Sequence, residues 1–152
     1  MLMTVAKSDR YTHNLTVRVI DRDGGSVGKS ITDALVSATA YGIPLHLLKL
    51  QLRESNLHYF SSSPETFPTD AEVAHDILQE GTWAAVVISE GATEALQLAR
   101  AAGDVNYQGS SAVHVFFAQA RQENAISAYL LPYLQQALTR ITTEVSSDSI
   151  AE

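Results

Sequence analysis

A chain of 152 residues with 45% apolar and 18% charged side chains is long enough for one domain with a real core, and has the balance of an ordinary globular fold. Its net charge of −7, from 17 acidic against 10 basic residues, argues against a nucleic-acid partner, which needs clustered Lys and Arg. With no cysteine, neither a disulfide framework nor a thiolate metal site can form.

Residues 1–13 read as a polar lead-in. The apolar run Leu15, Val17, Val19 and Ile20 predicts a first strand over 15–20. It breaks at Asp21-Arg22-Asp23, turns through Gly24 and Gly25, and reaches Ser26, the expected N-cap of a helix. Val27, Ile31, Ala34, Leu35 and Ala38 form the inward stripe of that helix, and Gly42 and Pro44 end it. A strand is expected over 45–52, where Leu48, Leu50 and Leu52 alternate with polar residues. A loop follows over 53–68, with a short edge strand at 57–60. Thr69 and Glu72 spell a capping box for a helix whose inward residues are Val73, Ala74, Ile77 and Leu78, closed by Gly81.

The continuous apolar run over 83–89 predicts a strand covered on both faces. A helix over 93–102 ends at Gly103, and a polar connection through Asn106 and Tyr107 leads to a second fully apolar strand over 113–117, with His114 expected in the core. Last comes a long helix over 118–145, striped by Ile126, Leu130, Leu134, Leu138, Ile141 and Val145. Pro132 inside it deletes one backbone bond, so a kink is expected near Ala128. Residues 146–152 read as a frayed tail. No apolar run approaches the roughly 20 residues that cross a bilayer, and residues 1–14 lack the apolar core of a signal peptide. The chain as it stands therefore reads as soluble. The expected fold is α/β: one domain over 14–145, a three-layer sandwich with a mostly parallel central sheet, helices on both faces and a long kinked C-terminal helix.

Two phosphate motifs touch the 21–28 turn. Residues 23–30, DGGSVGKS, follow a strand and open a helix as a phosphate loop does. But Asp23 stands where the first glycine belongs and puts a carboxylate beside the phosphates. No later strand ends in an Asp to organise magnesium. The run over 17–24, VRVIDRDG, resembles the first motif of haloacid-dehalogenase-type phosphatases. That resemblance implies Asp21 as nucleophile, Asp23 as acid and base, and Ser89 as the hydroxyl that holds phosphate. Against it, Gly25 replaces the usual Thr and no strand ends in an acidic magnesium pair. Without the metal, two carboxylates repel a phosphate.

The plainer reading makes the turn structural. Asp21 and Asp23 make Asx-type bonds to the turn's own backbone, while the glycines of the turn, Gly24, Gly25 and Gly28, supply positive φ. Five histidines, at positions 13, 46, 58, 75 and 114, show no metal spacing, and no cofactor or metal is expected. Trp83 reads as a core or edge aromatic ahead of an interface platform. Gln119 and Arg121 lie in a polar cluster that opens the last helix, where an anion contact or a charge-to-dipole role with Glu123 fits.

Several short motifs recur in one order: the valine-rich strand with Asp21-Arg22-Asp23-Gly24-Gly25, Gly28-Lys29, then Phe67-Pro68-Thr69. After them come Gly81-Thr82-Trp83, Ala92-Thr93 with Leu96 and Ala99, Gly103 with Tyr107, residues 118–123 and Leu131-Pro132. Over about residues 8–140 this order resembles the extracytoplasmic soluble domain of a fungal membrane-protein family named for nitrosoguanidine resistance. Its relatives are bacterial phage-infection-type proteins and permeases of type-2 ABC exporters. The resemblance implies a non-catalytic domain, extracellular or lumenal, of a membrane protein associated with transport or drug tolerance. It implies the membrane-spanning remainder of its own parent protein as a partner and leaves room for a homo-oligomer. Under it, Met1 falls just after one spanning helix and Glu152 before the next. The alternative is a phosphatase using Asp21 and Asp23.

Overall fold

The computed structural model describes residues 15–40, 57–118, 130–132, 134–135 and 138–140. Strand β1 (Leu15–Asp21) leads through the 21–25 turn into helix α1 (Ser26–Ala40). Strand β2 (Leu57–Ser62), helix α2 (Asp70–Leu78), strand β3 (Ala84–Ile88) and helix α3 (Ala92–Ala102) follow. A short 3-10 turn (Gly109–Ala112) then feeds strand β4 (Val113–Phe117). The four strands form one sheet in the order β2-β1-β3-β4. β1 runs parallel to both β2 and β3, while β4 is antiparallel to β3. The expected α/β fold with a mostly parallel sheet is thus the observed one, and the three apolar runs at 15, 83 and 113 do share a sheet.

Side-chain alternation along β1 divides the core. Leu15, Val17 and Val19 join Ala84, Val86 and Ile88 of β3 on one face, beneath Val27, Ile31 and Leu35 of α1 and Ala92 of α3. Leu130 and Leu134, from the stripe expected for the last helix, are buried in the same cluster. On the opposite face Ile20, Ala85 and Val87 meet Val73 and Ile77 of α2. Helices therefore cover both faces. β3 is central and every one of its residues is buried, as its uninterrupted apolar sequence requires. Each such Val, Leu or Ile contributes about 1.5–3 kcal/mol by leaving water.

Three expectations are corrected. The 113–117 strand, expected to be central, stands as β4 at the edge of the four described strands, and His114 is exposed rather than in the core. The cause is topological: among the described strands β4 pairs with β3 alone, and of its side chains facing α2 only Phe116 packs into that cluster. The edge strand expected at 57–60, by contrast, is present: β2 lies at one end of the sheet order, runs on to Ser62 and pairs with β1 in parallel, Leu15 opposite Leu57. Helix α2 ends at Leu78, with Glu80 rather than Gly81 in the left-handed conformation (φ 62°). Gly81 is needed for space instead, since a Cβ there would lie 2.8 Å from the Asp76 Cγ. The strand at 45–52, the stop at Gly42 and Pro44, the lead-in at 1–13 and the tail at 146–152 lie outside the described residues. So do most of the 118–145 helix and its kink; Pro132 itself sits in a described helical stretch.

Candidate functional site

The 21–28 turn sits at the carboxyl end of β1, beside the carboxyl end of β3, and its backbone is held by two side chains. Asp21 Oδ1 accepts the N–H groups of Asp23 and Gly24, each at 3.0 Å, closing a tight Asx turn. Gly24 takes φ +65° in open space, so glycine is there for its backbone angle. Gly25 carries the first helical carbonyl, accepting the Lys29 N–H at 3.1 Å. The N-cap is therefore Gly25, and the expectation of Ser26 is corrected. Gly25 has no side chain, so capping passes to residues elsewhere in the chain.

Asp23 and Thr93 do that capping. Asp23 Oδ2 accepts the N–H groups of Gly25 and Gly28, each at 3.2 Å, and the Thr93 hydroxyl. Its other oxygen accepts the Thr93 N–H at 2.9 Å. The Thr93 hydroxyl in turn accepts the Val27 N–H at 3.0 Å. One carboxylate and one hydroxyl thus join the N-termini of α1 and α3. Gly25 and Gly28 do not have the expected positive φ but make room instead: a Cβ on Gly25 would lie 2.7 Å from Thr93 Cβ, and one on Gly28 2.6 Å from Asp21 Cγ.

The family model described as "Protein of unknown function (DUF3533)" matches residues 3–152. The chain belongs to this family. No curated protein and no solved structure matches it.

Burial pushes the Asp23 carboxyl up, but the hydrogen bonds from Thr93, Gly28 and Gly25 outweigh it and hold the group below the usual carboxylate range. Of the donors that could cradle a phosphate at the start of α1, the Gly25 and Gly28 N–H groups therefore go to the chain's own carboxylate and that of Val27 to the Thr93 hydroxyl. Ser89 stands apart from this arrangement. Its N–H donates to the Ala112 carbonyl at 2.8 Å and its hydroxyl to the Ser111 carbonyl at 3.3 Å, both toward β4. Trp83 is half-buried against the α1-side core, with its N–H donated to Thr16 O at 3.1 Å. Gln119 and Arg121 lie outside the described residues. Among the described residues no group of three or more metal-binding side chains is found, and no helix is long and apolar enough to cross a membrane.

A second polar centre, invisible to the motif reading, occupies the α2 face. The Arg18 guanidinium donates to Asp76 through Nε at 3.2 Å and to Ser62 Oγ through Nη1 at 2.6 Å. It lies 4.9 Å from the Phe60 ring centre and 4.5 Å from that of Phe67. Asp76 also accepts the hydroxyl of buried Thr82 at 3.0 Å. Next to it Arg22 donates to Phe67 O and to Asp70, fixing the 67–70 segment to the turn. Charged residues on strand faces flanked by aromatics were the available signal, since Arg18 lies opposite Phe60 in register.

Proposed function

We propose that this is a non-catalytic extracytoplasmic domain of a membrane protein related to ABC-type exporters, in which the 21–28 turn is scaffold. One observation carries the non-catalytic part: both oxygens of Asp23, and Oδ1 of Asp21, accept backbone N–H groups of the turn and helix starts. A nucleophilic carboxylate needs a lone pair aimed at an incoming phosphorus, and a phosphate needs unfilled donors. At this turn both Asp23 oxygens already accept N–H groups, and the N–H groups of Asp23, Gly24, Gly25 and Gly28 already donate to carboxylates, which supports the scaffold reading. The membrane and transport part is supported by the order of short motifs from Asp21 to Pro132 that resembles the nitrosoguanidine-resistance family.

Each half has its own test. A generic phosphomonoester with magnesium is expected to show no turnover with the wild type or with Asp21→Asn. Turnover that Asp21→Asn abolishes would put the phosphatase reading first. For topology, Gln108→Thr in the parent protein creates an acceptor triplet at exposed Asn106. The expected result is one additional glycan, removable by endoglycosidase; an unglycosylated variant in a membrane-inserted parent would place the domain on the cytoplasmic side.

A further inference from the structure

Among the described residues, the large apolar side chains that stand exposed are Leu78, Leu98, Val105 and Phe117, and all four lie toward one pole of the sheet. The register fixes that pole: Ala84 opens β3 opposite Val17 near the start of β1 and opposite Phe117 at the end of β4. Parallel strands make the helix between them run back, so Leu78, the last residue of α2, returns to the same end. Helix α3 starts at the far end beside the start of α1; Leu98 lies in its later half and Val105 three residues beyond it. Single exposed apolar residues need no explanation, but their gathering at one end does. The far pole is acidic. Asp21 and Asp23 follow β1, Glu90 follows β3, Glu94 stands in the first turn of α3, and Asp70 and Glu72 stand in that of α2. The domain is therefore amphipathic from end to end.

We infer that the pole carrying Leu78, Val105 and Phe117 rests on a lipid surface, with these side chains among the headgroups of a zwitterionic leaflet. The path of the chain selects this occupant. Residues 1–14 lead directly into Leu15, so the chain enters the sheet at the apolar pole and not at the acidic one. On the extracytoplasmic reading, on which this inference rests, that lead-in is the tether from the preceding spanning helix and holds this pole toward the bilayer. Charge selects the same occupant. A net charge of −7 repels a second copy and any acidic partner, whereas a phosphatidylcholine layer carries no net charge. Trp83 is half-buried at the start of β3, at this pole, and an indole with an apolar body and a polar N–H suits the boundary between lipid and water. The contact is interfacial: apolar side chains enter the headgroup layer and no segment crosses it.

The test uses the 152-residue chain with a hexahistidine tag, held on phosphatidylcholine vesicles by a nickel-chelating lipid. Since the chain has no cysteine, an environment-sensitive fluorophore can be placed at Leu78→Cys, at Val105→Cys and, as the far-pole control, at exposed Lys29→Cys. On vesicles the labels at 78 and 105 are expected to shift to the blue and to be quenched by spin-labelled lipid, and the label at 29 to do neither. The same pattern is expected with the tag at either terminus; contact from one tether alone overturns the inference. Val105→Asp, at a site 93% exposed, should weaken the contact read at 78 about tenfold. Labels that stay in water on vesicles overturn the inference. So do labels already shielded without vesicles, which would put the chain's own residues over the pole, and shielding that rises with protein concentration, which would put a second copy there. The glycan test at Asn106 acts on the chain before it folds and so reads topology separately. A glycan gained while the labels stay in water refutes the lipid contact and leaves the extracytoplasmic reading standing. Lipid-bound labels with no glycan refute that reading and move the contact to the cytoplasmic leaflet.

Discussion

Thr93→Val removes one hydroxyl at nearly constant shape and isolates the clasp between α1 and α3. The lost hydroxyl donates to the Asp23 carboxylate and accepts the Val27 N–H at 3.0 Å. A hydrogen bond to a charged group contributes about 1.5–3 kcal/mol and a neutral one about 0.5–1.5 kcal/mol. The clasp is only partly buried, so water recovers some of this and a net loss of about 2 kcal/mol is expected. At this chain length that corresponds to a melting midpoint lower by about 4–8 °C. Urea titration of wild type, Thr93→Val and Thr93→Ser is the assay, and the Ser variant should stay close to wild type. Acid titration adds a signed test. The folded-state pKa of Asp23 lies below its unfolded value, so its contribution is present above the unfolded pKa and lost as pH falls through the folded one. Without the Thr93 hydroxyl, the folded pKa should rise and acid unfolding should begin at higher pH. A Thr93→Val protein within about 0.5 kcal/mol of wild type, with an unmoved acid limb, would refute the clasp.

The turn's glycines should separate by mechanism. Gly24→Ala meets open space but a positive φ, and should cost about 1 kcal/mol in denaturant titration. Gly28→Ala drives a methyl into the Asp21 carboxylate, so a larger loss of about 1–3 kcal/mol is expected. On the other face, Asp76→Ala takes from Arg18, half-buried between two phenyl rings, its carboxylate partner and removes the bond from the Thr82 hydroxyl, and should lose about 2–3 kcal/mol. Asp76→Ala paired with Arg18→Met should recover part of that loss, because no charge is then left half-buried. A double variant no better than the single one would refute the pairing.

Much of the fold was legible in the residues because period and punctuation are local. The alternation in β1, the unbroken apolar run of β3 and the Thr69–Glu72 pair each depend on residues within a few positions of one another. In the folded chain Glu72 does accept the Thr69 N–H at 3.0 Å. The turn was legible too: an Asp, two residues, then glycines after a strand predict Asx bonding, and Asp21 makes it.

Tertiary structure decided what spacing cannot encode. The sequence marks 113–117 as a strand, but only the order of the described strands puts it beyond β3 at their edge, with His114 exposed. The sequence offers Ser26 as a cap. Only the arrival of α3 beside α1 brings Thr93, 66 residues from Val27, to cap the helix in its stead. Asp76 meets Arg18 across 58 residues for the same reason. Local pattern is set by steric periodicity along the backbone, which one segment carries alone. A charge or hydroxyl finds its partner only when the sheet order brings distant strand ends together.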